Sequence, residues 1–143
     1  MTVARVNHVG LCVTDIERSR RFYEAVLGFT FQRELTIPDE LAADLLRVPT
    51  PVGLRAAYLE RDGWVLELIR FDRAGNDPRR ERGFTEPGLT HISFTVPDLS
   101  DARAAVVDHG GEVLDDTAMF GVAVMVRDPD GQLLELLSPD ASW

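Results

Sequence analysis

The chain is written twice. Residues 7–19, NHVGLCVTDIERS, lie over residues 90–102, THISFTVPDLSDA. A polar residue followed by a histidine is in step (His8 and His91). Val13 then falls on Val96, and Asp15-Ile16 on Asp98-Leu99. Farther along, GWVLELI (63–69) lies over GQLLELL (131–137), with Gly63 on Gly131 and Glu67 on Glu135. The His-to-Glu interval is 15 residues longer in the first copy, which places an insertion around residues 36–50. Self-similarity on this scale means one supersecondary unit built twice, so any reading of the fold must satisfy both copies.

Each copy predicts the same order of elements. Residues 5–13 alternate as a strand does. Asp15 is placed to cap the helix IERSRRFYEAVL, and Gly28 to end it. In the second copy Asp98 or Ser100 caps the helix and Gly110 closes it. Three strands follow each helix: about 29–35, 53–60 and 64–70, then about 112–115, 119–127 and 132–138. RDG (61–63) and DPDG (128–131) carry turn chemistry between the last two strands of each copy. The insertion, PDELAADLLRVP, is expected to form a short helix. The unit is βαβββ. The two modules span about 4–72 and 86–140 of a single domain, 1–143, joined by a connection rich in charge, Gly and Pro.

Strand alternation separates two faces. Val9, Leu11 and Val13 share one face, and His8, Gly10 and Cys12 the other. Ile92, Phe94 and Val96 oppose His91, Ser93 and Thr95 in the same way. The apolar sets are expected to pack under their own helices, leaving both histidines on the far face. Glu67 and Glu135 stand in strands that are otherwise apolar. A desolvated carboxylate shifts its pKa or finds a cation, and no lysine stands near either strand. Two imidazoles and two carboxylates, recurring at equivalent places, suit one divalent ion: Zn, Ni, Co, Mn or Fe. The third histidine, His109, sits at a helix end, where the dipole favours it, and is not expected to be a ligand.

Composition narrows the function. A net charge of −9 disfavours nucleic-acid binding. The one basic cluster, Arg79, Arg80 and Arg82, reads as a solvated loop, with an anion contact at a pocket mouth as the alternative. No apolar run is long enough to span a membrane, and the N-terminus lacks the pattern of an export signal. One cysteine, Cys12, excludes an internal disulfide and fits a cytoplasmic setting.

At NHVGLCVTDIERSRRFYEAVLGF, GWVLELI, THISFTVPDLSDA and DPDGQLLELL the sequence resembles the vicinal oxygen chelate superfamily. That group includes glyoxalase I, methylmalonyl-CoA epimerase, extradiol dioxygenases and bleomycin-binding proteins. The resemblance implies an α+β fold. Its two βαβββ modules form an eight-stranded, cup-shaped mixed sheet with helices outside and one metal held by His8, Glu67, His91 and Glu135. The His-Glu-His-Glu set looks like glyoxalase I, whereas epimerases usually carry Gln where Glu67 stands. The implied function is a metal-dependent lyase or isomerase. It would move a proton on a small α-oxygenated carbonyl substrate, with Glu135 as ligand and base and Glu67 able to share that role. The alternatives are an Fe(II) extradiol-type dioxygenase and a non-catalytic drug- or metabolite-binding protein. A homodimer is implied as well. Cys12, Ser93, Phe31, Tyr58, Met125 and Arg127 are candidates to line the cup, and Met119 and Phe120 to gate it.

Overall fold

A computed structural model describes residues 2, 4–72 and 83–141. Arg79, Arg80 and Arg82 lie outside the described residues. The chain divides into two compact units. The first comprises Met1–Arg20 and Gly28–Asp77, the second Arg21–Leu27 and Pro78–Trp143.

The first unit holds β1 (Val9–Cys12), the start of α1 (Ile16–Leu27), β2 (Thr30–Ile37), α2 (Asp39–Leu46), β3 (Leu54–Arg61) and β4 (Trp64–Phe71). Its sheet order is β1-β4-β3-β2. β1 runs parallel to β4, and the other pairs are antiparallel. The second unit holds β5 (Ile92–Thr95), α3 (Leu99–Asp108), β6 (Glu112–Met119), β7 (Ala123–Arg127) and β8 (Leu133–Leu137). Its order, β5-β8-β7-β6, repeats the first, with β5 parallel to β8. The eight expected strands are thus present as two four-stranded mixed sheets, and the class is α+β.

Local chemistry accounts for the ends of the elements. The Asp15 carboxylate accepts the Arg18 N–H at 2.9 Å, and the Asp98 carboxylate accepts that of Asp101 at 2.9 Å, so both helices start on an aspartate cap. Of the two residues read as caps for α3, Asp98 is the one that serves. His109 closes that helix, its Nδ1 2.9 Å from the carbonyl of Ala105. Asp62 and Gly63 both take positive φ, the conformation a two-residue hairpin between β3 and β4 requires. The insertion is helical, as α2. Its Asp39 carboxylate accepts the N–H groups of Val52 and Gly53, tying the helix to the entry of β3.

Two readings change. β1 is shorter than 5–13, so His8 stands one residue before the strand rather than inside it. The first helix does not belong wholly to its own sheet. From Arg21 onward α1 groups with the second unit, where Phe22 and Tyr23 are fully buried. Gly111 leaves room for Phe22: a Cβ there would come within 2.8 Å of the Phe22 ring and 2.6 Å of the Arg127 carbonyl. No described helix is long and apolar enough to cross a membrane.

Tyr23 also fastens the turn before β8. Its hydroxyl donates to Asp128 at 2.9 Å, while the Asp128 carboxylate accepts the N–H groups of Asp130 and Gln132. Burial pushes the Asp128 carboxyl above its usual 3.8, against the pull of these three donors. A raised folded-state pKa favours the neutral acid. The stabilisation tied to this proton is therefore complete below pH 3.8 and is lost as pH rises through the folded value. Carbon-detected NMR titration should give Asp128 a midpoint above 3.8. In urea, Tyr23→Phe should cost about 1 kcal/mol. Asp128→Ala, which orphans three donors, should cost about 3 kcal/mol.

Candidate metal centre

The parallel pairings set up the site. In the first unit Gly10 lies opposite Glu67, and in the second Ser93 lies opposite Glu135. A histidine two residues before each of these positions projects to the same face. Glu67 is flanked along β4 by Leu66 and Leu68, both buried on the opposite face, and Glu135 is flanked the same way by Leu134 and Leu136. The glutamate side chains are not sunk in the core. They retain 16% and 25% of their exposure, on a half-open face.

The histidines meet these carboxylates. His8 Nε2 lies 3.1 Å from Glu67 Oε2, and His91 Nε2 lies 3.6 Å from Glu135 Oε2. The other ring nitrogens are also engaged. His8 Nδ1 lies 2.8 Å from Asn7 Oδ1, and His91 Nδ1 lies 3.0 Å from the Thr90 hydroxyl. Asn7 Oδ1 only accepts, so Nδ1 of His8 donates to it, which leaves Nε2 as the ring atom that faces the carboxylate. A ring nitrogen and a carboxylate oxygen side by side are both metal donors. Neighbouring donors around a tetrahedral ion with 2.0–2.1 Å bonds stand about 3.3 Å apart, and the two His–Glu separations bracket that value. The residues present therefore fit a divalent ion, and Asn7 and Thr90 hold the two rings in orientation.

The structure brings His8 together with Glu67, and His91 together with Glu135. Among the described residues, no group of three or more His, Cys, Asp or Glu side chains converges. His109 is occupied at the end of α3, as its position in the sequence implied.

The surroundings of the two glutamates differ. Tyr58, opposite Glu67 across β3 and β4, donates its hydroxyl to Glu67 Oε1 at 2.5 Å, and its ring stands edge-on to His8. Opposite Glu135 the equivalent residue is Met125, which has no such donor. Glu135 instead accepts the Ser93 hydroxyl at 2.7 Å on Oε2, the oxygen that faces His91. Among the described residues nothing hydrogen-bonds to Glu135 Oε1. Of the six residues read as lining, Tyr58, Ser93 and Met125 stand beside the glutamates. Cys12 is on the same face of β1, beyond Gly10. Arg127 is 3.4 Å from Glu112 at the sheet end. Phe31 is not on this face: it lies opposite Leu59 and under the guanidinium of Arg20, on the helix side. Phe120 is 96% exposed at the β6–β7 turn. Asn7 and Thr90 are functional neighbours that the sequence signals only as a polar residue before each histidine. Nothing in the sequence pattern marks Arg33, whose carbon Cζ lies 4.8 Å over the Tyr58 ring.

The Glyoxalase/Bleomycin resistance protein/Dioxygenase superfamily model matches residues 5–136. The chain belongs to this superfamily. It is 32% identical over 142 residues to a lactoylglutathione lyase of Pseudomonas aeruginosa, covering 92% of this chain and 80% of that one. It is 28% identical to a catechol-2,3-dioxygenase of Bacillus subtilis, covering 95% of this chain but 44% of that enzyme. A glyoxalase family protein from Bacillus cereus has the same fold. Its TM-score is 0.77 at 18% identity, covering 96% of this chain and 95% of that one.

Burial, aided by the hydrogen bond to Glu67, raises the Tyr58 hydroxyl to a pKa of about 12. Tyr58 is therefore a phenol, and a donor, at every physiological pH. The chain has two tyrosines. In metal-free Tyr23→Phe protein, tyrosinate absorbance should titrate near pH 12, and the additional change Glu67→Gln should lower the midpoint.

Proposed function

We propose that the protein is a divalent-metal-dependent lyase or isomerase that moves a proton on a small α-oxygenated carbonyl substrate. His8, Glu67, His91 and Glu135 are the donors to one ion, two from each unit. One observation carries this reading: each histidine keeps one nitrogen on a neighbouring polar group and turns Nε2 toward a carboxylate, in both repeats. When bound, the ion supplies Lewis acidity that polarises the substrate carbonyl and acidifies the adjacent C–H.

The two glutamates then divide the work. A carboxylate with both oxygens engaged is held in place, whereas one with a free oxygen can accept a proton there. Glu67 has the phenol of Tyr58 on one oxygen and His8 against the other, which suits a fixed donor. Glu135 keeps Oε2 toward Ser93 and His91, leaving Oε1 to take the proton from the substrate carbon and return it to the neighbouring atom. Leu134 and Leu136, both buried, anchor the strand beneath it. Superfamily relatives make lactoylglutathione turnover the first reaction to assay. The resemblance to the superfamily adds a homodimer to this reading, which sedimentation analysis would measure directly.

Protein purified without chelator should hold one metal per chain. His8→Ala and His91→Ala should each abolish binding. Two ions per chain, or independent losses, would show that the pairs act separately. Glu135→Gln should retain metal yet lose about 10²–10⁴ in kcat. Glu67→Gln should instead shed metal more readily, and the opposite ranking would transfer the base role to Glu67. EDTA should abolish turnover, and stoichiometric oxygen uptake with catechols would replace this reading with a dioxygenase.

A further inference from the structure

A row of side chains crosses the first sheet from strand to strand. Gly10 on β1 faces Glu67 on β4, Glu67 faces Tyr58 on β3, and Tyr58 faces Arg33 on β2. The last step depends on an irregularity. Phe31 pairs with Leu59 and Arg33 with Tyr58, so β2 advances two residues while β3 advances one. Without that bulge Gln32 would stand opposite Tyr58. Arg33 would then stand opposite Ala57, on the same face as buried Leu59. The bulge re-aims the arginine onto the polar face, a recurrent use of bulges beside functional sites.

What Arg33 does there is not explained by packing. The arginines of the neighbouring strands β3 and β4 are each matched with a carboxylate: Arg55 with Glu34, Arg61 with Asp62 and Arg70 with Asp72. Among the described residues Arg33 has no carboxylate partner, in a chain with 24 acidic and 15 basic residues. Its contact is with the Tyr58 ring. A contact through the ring face leaves the guanidinium N–H fork unspent. The second unit has no counterpart. The same row there reads Ser93, Glu135, Met125 and Leu114.

We propose that Arg33 binds an anionic oxygen group, a carboxylate or a phosphate, on the substrate and so sets its polarity along the sheet. Tyr58 joins the two functions by resting under the guanidinium while holding Glu67. Arg33 and Glu67 stand on strands two spacings apart, about 10 Å. That is the reach of a compact substrate with its chelating oxygens at the glutamate end and its charge at the arginine end. The chelating end rests on the metal reading above; the anion contact does not.

Metal-free protein separates the two. Acetate and inorganic phosphate are titrated in parallel while the Arg33 Nε–H and Tyr58 ring signals are followed by NMR. At least one anion should shift both signals saturably. The Tyr58 response should weaken about tenfold or more in Arg33→Gln and weaken less in Arg33→Lys, which keeps the charge but loses the fork. Saturation by acetate alone assigns carboxylate substrates, and by phosphate alone phosphorylated ones; either supports the proposal. No saturable shift with either anion, or a Tyr58 response unchanged in Arg33→Gln, overturns it. Metal stoichiometry of Arg33→Gln should equal that of the wild type. Loss of metal binding in wild-type protein that still binds the anion would remove the proposed function and leave the arginine site standing.

Discussion

The pairing of a short first strand with the last strand of its own module organises everything else. Because β1 runs parallel to β4 and β5 to β8, each His-containing segment enters its sheet beside the strand that carries a glutamate. Parallel register puts Gly10 and Ser93 opposite those glutamates, and side-chain alternation puts the histidines on the same face. A shift of one residue would turn either histidine toward the buried leucines. Leu66, Leu68, Leu134 and Leu136 hold that register, since all four are buried and none tolerates the other face.

The repeat preserves this frame while its surroundings diverge. Tyr58 clamps Glu67, whereas Met125 leaves Glu135 without a phenol and Ser93 takes over from the other side. The two copies carry equivalent carboxylates, and their neighbours contact both oxygens of Glu67 but only one of Glu135. The arginine row and α2 belong to the first module alone. α2 packs Ala42 with Val52 and Leu54, and with Ile37, Ile69 and Phe71 around them. Ile69 and Phe71 alternate with Glu67 along β4, so the insertion covers one end of the polar face.

Much of this was legible beforehand because it rests on local signals. Alternation gave the strands, aspartates and glycines gave the helix ends, and the recurrence of His and Glu at matched places singled out four side chains. The boundaries of β1 were less legible, since residues before Val9 alternate without a neighbouring strand to bond them. The destination of α1 was hidden for a different reason. Phe22 and Tyr23 announce a buried helix face, but no pattern within the helix says which sheet buries it. Phe31 and Tyr58 looked equally able to line the site, and only the pairing register assigned them to opposite faces.

From the order of residues alone follow the duplicated βαβββ plan, the class of the fold and the recurrence of a histidine and a glutamate in each copy, because each depends on periodicity and on spacing along the chain. The bulge that turns Arg33 onto the polar face, the phenol on Glu67 and the free oxygen on Glu135 come only with tertiary structure. They depend on which residue of one strand meets which residue of the next, and that register is settled by the packing of the whole sheet.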